Sequence, residues 1–302
     1  MPCRLAQPLQ NVVVTQISCG WQHTLAVTSN GYLFSWGLNI NGQLGLGDYS
    51  DRDKPTLVES VLCHQVSKIS AGHSHSAMIN ENGNVYSWGA NPDSRLCRKT
   101  SYFKLSHRPK NVNKPMFWSA LKDRKIVDVS LGADHSLFLS EKGCVFASGN
   151  WDKGQLGDPY YHSDKYPDPY VSLFTFSNSY NKWVKVKAGD GFSVLLTEDG
   201  DVYTFGQGNY GRLGHHHGVS LSKPCIVDYF MKKKIKVVDV AVGGRHCFAL
   251  ADTGQVYSWG FGFYYQLGTG STEDKMEPSE VSTFRKVEKI SCGYFHTAMI
   301  YS

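Results

Sequence analysis

The residues best suited to chemistry in this chain are histidines at regular intervals. His23, His75, His135, His246 and His296 each stand three residues after a glycine, in ISCGWQHT, ISAGHSHS, VSLGADHS, VAVGGRHC and ISCGYFHT. Imidazoles gathered in a ring could ligate a metal or shuttle protons, because a neutral ring nitrogen is a good metal donor and the group titrates near neutrality. The run HHHG at 215–218 offers a second, weaker metal site, and the repeated glycines raise the idea of a phosphate cradle. Each idea meets a counter-observation. One further copy, VKAGDGFS, carries Phe192 in place of the histidine, which a packing role tolerates better than a ligand role. Neither G-x-x-x-x-G-K-[ST] nor G-x-G-x-x-G between a strand and a helix is present. No nucleophile beside a base and no carboxylate pair recurs at a defined spacing, so bond-making catalysis, a cofactor and a bound metal are not expected. The histidines read as structural: each copy has the same need, met by hydrogen-bonding a loop carbonyl and pinning a strand end.

The elements that position them follow from the glycines. The leading glycines are Gly20, Gly72, Gly132, Gly189, Gly243 and Gly293, a period of 50 to 60 residues. Eleven residues on come Gly31, Gly83, Gly143, Gly200 and Gly254, and six beyond those Gly37, Gly89, Gly149, Gly206 and Gly260. A fourth, after leucine, is Gly45, Gly157, Gly214 and Gly268, with Cys97 as the exception. Such self-similarity marks a repeat architecture. Each copy reads as a β-hairpin. The first strand is small-polar then three apolar residues (TLAV, SAMI, SLFL, SVLL, CFAL, TAMI), so both its faces are covered. The turn is a pair such as Asn30-Gly31, and the return strand is of the type NVYSWG, rich in β-branched and aromatic residues. The Trp or Phe before the third glycine fills space between sheets.

A hairpin that must be covered front and back is satisfied by neighbours placed around an axis. The expectation is an all-β, β-propeller domain spanning 1–302, with repeats starting near 17, 69, 129, 186, 240 and 290. Residues 5–19 match the end of a repeat and 281–302 its start, so the two ends are expected to form a hybrid sixth blade. The alternative is a seven-bladed ring completed by poorly matching strands, or an incomplete ring. Composition fits a globular chain: 41% hydrophobic and 19% charged residues leave room for a large core. No 18-residue apolar run occurs, and 1–14 has no apolar core of a signal peptide, so an intracellular monomer with no membrane span is expected. Eight scattered cysteines without a C-x-x-C pair read as buried free thiols.

The residues in register, G-x-x-H-[ST], G-x-[VL]-[YF]-x-[WF]-G and L-G, resemble those of the regulator of chromosome condensation family over nearly the whole chain. That resemblance implies a propeller, usually of seven blades, and two classes of function. One is binding and guanine-nucleotide exchange on a Ran-type small GTPase through the face carrying the G-x-x-H loops. The matching loop positions here are Asp134, Asp190, Arg245, Trp21, Gln22 and Phe295. Exchange factors of the family insert a wedge from a lengthened loop between Trp-Gly and Leu-Gly, whereas here that interval is eight residues in every copy. The other class is a non-catalytic adaptor for protein partners.

Two stretches depart from the repeat and so are free to carry binding. Residues 98–125 hold nine basic residues against Asp123 alone, a local surplus of eight that exceeds the net +5 of the whole chain. Its candidates are Arg108, Lys110 and Lys114 with the apolar anchors Phe117 and Trp118. They suit an acidic protein surface or, less well, DNA or chromatin phosphates. Residues 158–183 hold five tyrosines, among them Tyr160 and Tyr161, a composition common in recognition loops.

Overall fold

The computed structural model describes residues 9, 12–92, 95–96, 111–158, 172–174 and 182–302. The chain folds into antiparallel sheets in strict sequence order. The first contains β1 (Val14–Cys19), β2 (His23–Thr28), β3 (Leu33–Gly37) and β4 (Arg52–Leu57). The second contains β5 (Val66–Ala71), β6 (His75–Asn80), β7 (Val85–Gly89) and β8 (Val112–Phe117). The third contains β9 (Ile126–Leu131), β10 (His135–Ser140), β11 (Val145–Gly149) and β12 (Ser172–Phe174). The fourth contains β13 (Trp183–Ala188), β14 (Phe192–Thr197), β15 (Val202–Gly206) and β16 (Leu221–Ile226). The fifth contains β17 (Val237–Val242), β18 (His246–Ala251), β19 (Val256–Gly260) and β20 (Lys275–Val281). A sixth sheet pairs β21 (Val287–Cys292) with β22 (Thr297–Tyr301). The first strands of all six sheets line one axial channel, the arrangement of a β-propeller. Among the described residues no helix is long and apolar enough to cross a membrane.

The apolar triplets do what the sequence demands. Every residue of β6, β10, β14 and β18 is buried, because each of these strands is sandwiched between two neighbouring sheets. Trp88, Phe205 and Trp259 fill the inter-sheet space, and the Trp88 and Trp259 indoles donate to the carbonyls of Gln43 and Arg212 in the preceding sheet at 2.8 and 3.1 Å. The glycine after the tryptophan is obligatory. At Gly89 φ is +103°, and a Cβ there would sit 2.7 Å from the Ser74 carbonyl oxygen.

The ends of the chain behave differently from the middle. Val14–Cys19 joins the first sheet as its channel strand. Of residues 5–19, expected in the hybrid blade, 14–19 thus pair in the first sheet and not with β21 or β22, while 5–8 and 10–11 lie outside the described residues. Ile17 is 64% exposed, although its counterparts Ile69, Val129, Val186, Val240 and Ile290 are at most 9% exposed. On the sixth sheet Ile300 is 57% exposed, whereas Val27, Ile79, Leu139, Leu196 and Leu250 at the same register are at most 4%. The first and sixth sheets therefore each present a face that every other sheet covers. The six described cysteines are all free, and of these Cys19 and Cys63 are exposed, against the expectation of burial.

Candidate functional site

Each G-x-x-H loop ends where the second strand of a sheet begins. His23 Nε2 lies 2.8 Å from Ser76 Oγ of the next sheet, His75 Nε2 3.0 Å from Ser136 Oγ, His135 Nε2 2.9 Å from Ser193 Oγ, and His246 Nε2 3.0 Å from Thr297 Oγ1. The first three hydroxyls donate in turn to the carbonyls of Gln43, Arg95 and Gln155 at 2.8 Å, and Thr297 donates to that of Gln266 at 3.1 Å. With the hydroxyl hydrogen committed, the imidazole must donate from Nε2, which fixes its tautomer. Sequence alone placed the histidine directly on a loop carbonyl; a hydroxyl of the next sheet stands between them.

Burial lowers the pKa of His23 and of His246 to about 4, with the charges of His73 and His296 adding to the effect. Burial, then Arg95, holds His75 well below the usual range too. These rings are thus neutral couplers rather than acid–base catalysts at neutral pH. The fourth sheet departs at both ends of the relay at once: Phe192 replaces the histidine and Cys247 replaces the hydroxyl, its Sγ 3.5 Å from the Arg212 carbonyl. Glycine leads the motif because the ring packs on its Cα. A Cβ on Gly72 would meet His75 Cε1 at 2.7 Å and the Gly132 carbonyl at 2.6 Å. The HHHG histidines are dispersed, His215 bonding Thr204 at 2.8 Å and His216 pairing with Glu277 at 3.0 Å. Among the described residues no three His, Cys, Asp or Glu side chains group to hold a metal ion.

The same loops are linked to one another across the sheets. The amides of His73, Ala133, Asp190 and Gly244 donate to the carbonyls of Gly132, Gly189, Gly244 and Tyr294 at 2.9 to 3.2 Å. Together the six loops rim a funnel of about 120 Å³ that opens one face of the propeller.

On that rim the structure gathers several of the residues singled out in the sequence. The Tyr294 hydroxyl donates to Asp190 Oδ2 at 2.9 Å, and Arg245 Nε lies 3.4 Å from the same oxygen. Burial raises the Tyr294 pKa, and its bond to the Asp190 carboxylate raises it further. Burial opposes the charge on Arg245, but Tyr294 and Asp190 outweigh it and hold its pKa above the ordinary value. Phe295 is exposed beside them, with its ring 4.5 Å from Tyr294 and 5.0 Å from Tyr264.

The sequence reading missed the neighbours that complete this patch. Tyr210 packs on Phe261 at 5.0 Å and lies under the Arg245 and Arg212 guanidinium groups, while Phe261, Phe263 and Tyr264 pack ring to ring. Phe263, Tyr264 and Tyr265 are each more than half exposed. Tyr265 has φ +60°, at the register where Gly42, Gly154 and Gly211 have φ +72° to +82°. A bulky side chain in the left-handed region costs about 1–2 kcal/mol. That substitution of tyrosine for a repeat glycine was the available signal.

The other sequence candidates are spread out. Trp21 is exposed on the rim and stacks on His73 at 4.3 Å, with Gln22 exposed next to it. Asp134 is half-buried, 3.4 Å from His135 and 3.5 Å from Gln155. Burial pushes its carboxyl up, but His135, Arg95 and Gln155 more than reverse this. Lys114 and Phe117 are exposed on the outer strand β8, away from the channel strands. Trp118 is buried, edge-on to Phe138 at 4.3 Å, and offers a partner no surface. Arg108, Lys110, Tyr160 and Tyr161 lie outside the described residues.

Comparison with known proteins bears on this arrangement. Residues 1–299 match the family model of the RCC1-like domain. The chain is 34% identical over 299 residues to the human E3 ubiquitin-protein ligase HERC2, covering 97% of the chain and 6% of that relative's length. The crystal structure of human WBSCR16 superposes with a TM-score of 0.82 at 24% identity, covering 98% of this chain and 74% of that one. Prp20p from Saccharomyces cerevisiae, a protein studied for its binding to Gsp1p and histones, gives a TM-score of 0.60 at 22% identity over 95% of this chain and 82% of its own.

Proposed function

The chain belongs to the family of RCC1-like domains, and from that premise we propose that it is a protein-interaction module whose partner docks on the G-x-x-H loop face. The observation that carries this reading is the wall of Tyr210, Phe263, Tyr264, Tyr265 and Phe295, exposed beside Arg245 and Asp190. Aromatic residues with arginine are the composition of binding hot spots, and a protein gains nothing for its own stability by straining Tyr265 outward. The remaining loop candidates, Trp21, Gln22 and Asp134, extend the same face around the funnel.

A Ran-type small GTPase is the partner to test first, because Prp20p binds Gsp1p and because Asp134 and Asp190 supply acidic positions in the loops. Exchange requires no bond chemistry, only tighter binding of the nucleotide-free GTPase than of the loaded form. The uniform eight-residue interval between Trp-Gly and Leu-Gly supplies no extended wedge, which favours an adaptor over an exchange factor. The test is nucleotide release from GDP-loaded Ran-type and other small GTPases in the presence of this protein. Acceleration that disappears with Asp134→Ala supports exchange; binding without acceleration supports the adaptor; no binding to any GTPase removes this class of partner. Chromatin contact through the basic stretch is checked on the same samples with Lys114→Glu, where DNA binding must weaken and lose part of its salt dependence if the stretch contributes.

A further inference from the structure

The funnel continues into the axial channel, a cavity of about 830 Å³ walled by β1, β5, β9, β13, β17 and β21. These six strands are in register, so equivalent positions can be compared around the ring. At the fifth position Ser18, Ser70 and Ser130 each accept an amide hydrogen from the next sheet, from Ala71, Leu131 and Ala188, at 2.9 to 3.0 Å. None of these three hydroxyls donates its own hydrogen to another described residue. The fourth sheet breaks the series with Lys187 and the fifth with Ala241, and Ser291 resumes it in the sixth.

The third position carries a belt of charge. Lys68 pairs with Asp128 of the next sheet at 2.7 Å, and Lys185 pairs with Asp239 of its own next sheet. Lys187 faces the same channel and forms no ion pair or hydrogen bond with another described residue. With Lys289 at the third position of β21, the belt and Lys187 set four ammonium groups against two carboxylates. Burial lowers the Lys187 pKa; Asp128 and Asp239 oppose that, while Lys185 and Lys68 reinforce it. Lys187 is half-buried in the channel and lacks a protein counter-charge of its own among the described residues, which leaves its ammonium open to an anion. An anion entering the channel would meet that ammonium, the flanking Lys185 and the uncommitted hydroxyl of Ser130 on the adjacent strand.

We propose that the axial channel is a binding site for a phosphorylated small molecule, with Lys187 as its principal charge contact and Ser130 as a hydroxyl donor. The cavity volume lies in the range of small-molecule sites and exceeds what a bare phosphate needs. Lys187 and Ser130 stand on the channel strands rather than in the loops, although Phe295 of the aromatic wall also borders the cavity, and the proposal stands whether or not the loop face binds a GTPase.

The experiment is isothermal titration calorimetry of the full chain at low ionic strength with inorganic phosphate, ATP and inositol hexakisphosphate as three probes. Lys187→Ser installs the residue that the first, second, third and sixth sheets carry at this position, and Lys187→Met removes the charge while keeping bulk, so that loss of fold in one variant leaves the other as a test. Lys54→Ser, on the exposed outer strand, is the control. The expected result is binding of at least one phosphorylated organic probe, weakened tenfold or more by Lys187→Ser or Lys187→Met and unchanged by Lys54→Ser. Saturation by inorganic phosphate alone would reassign the site to the free ion. Absence of heat with all three probes, or equal binding by wild type and both Lys187 variants, overturns the proposal.

Discussion

At the scale of single residues, the histidine relay explains why one side chain recurs at a fixed offset without any chemistry to perform. The fourth sheet supplies a natural control, since Phe192 and Cys247 replace donor and acceptor together. His23→Phe alone leaves the buried Ser76 hydroxyl short of a partner and is expected to cost about 1–3 kcal/mol. Adding Ser76→Cys copies the fourth sheet and is expected to recover most of that loss, as read from guanidinium denaturation. A double variant as unstable as the sum of its singles would sink the relay. The sign of the pH effect follows from the same burial. His23 and His246, held at about 4 in the folded chain, take up protons between 6.5 and 4 only when unfolded. Their contribution is complete above pH 6.5 and lost as the pH falls toward 4, by about 2 kcal/mol for each at pH 5. Between pH 7 and 5 the His23→Phe/Ser76→Cys variant should lose correspondingly less stability than wild type.

At the scale of elements, the hairpins were legible in sequence because glycines and apolar triplets report demands that every copy shares. The aromatic loop at 261–265 was not, because a residue that serves a partner answers to no internal period. Its trace was a mismatch, tyrosine where the first, third and fourth loops keep glycine. The same logic hid Lys187, a lysine where four of the other five sheets carry serine. Trp118 went the other way: an aromatic next to a basic stretch looked like an anchor, but the turn after β8 folds it into the core against Phe138. Tyr265→Gly relieves the left-handed strain, offset in part by glycine's greater freedom when unfolded, and is expected to raise stability by up to about 1 kcal/mol. It should do so while weakening partner binding. A variant less stable than wild type would mean that the tyrosine packs for the fold.

At the scale of the whole molecule, sequence order and radial packing were readable from the period, whereas the two uncovered faces were not, since apolar residues at the ends look like those in the middle. Ile300→Lys on the sixth sheet is expected to change stability by no more than about 0.5 kcal/mol, while Leu196→Ala at the same register in the fourth should cost about 2–5 kcal/mol. Equal costs would show that Ile300 is covered in solution. The account rests above all on the loop face as the partner-binding surface. Its most direct test is quantitative capture of bound proteins by wild type, by a Phe263→Ser/Tyr264→Ser/Tyr265→Gly variant and by Phe117→Ser on the outer strand, all verified as folded. Partners held by wild type and Phe117→Ser but lost from the triple variant are the predicted outcome; partners kept by the triple variant and lost from Phe117→Ser contradict it.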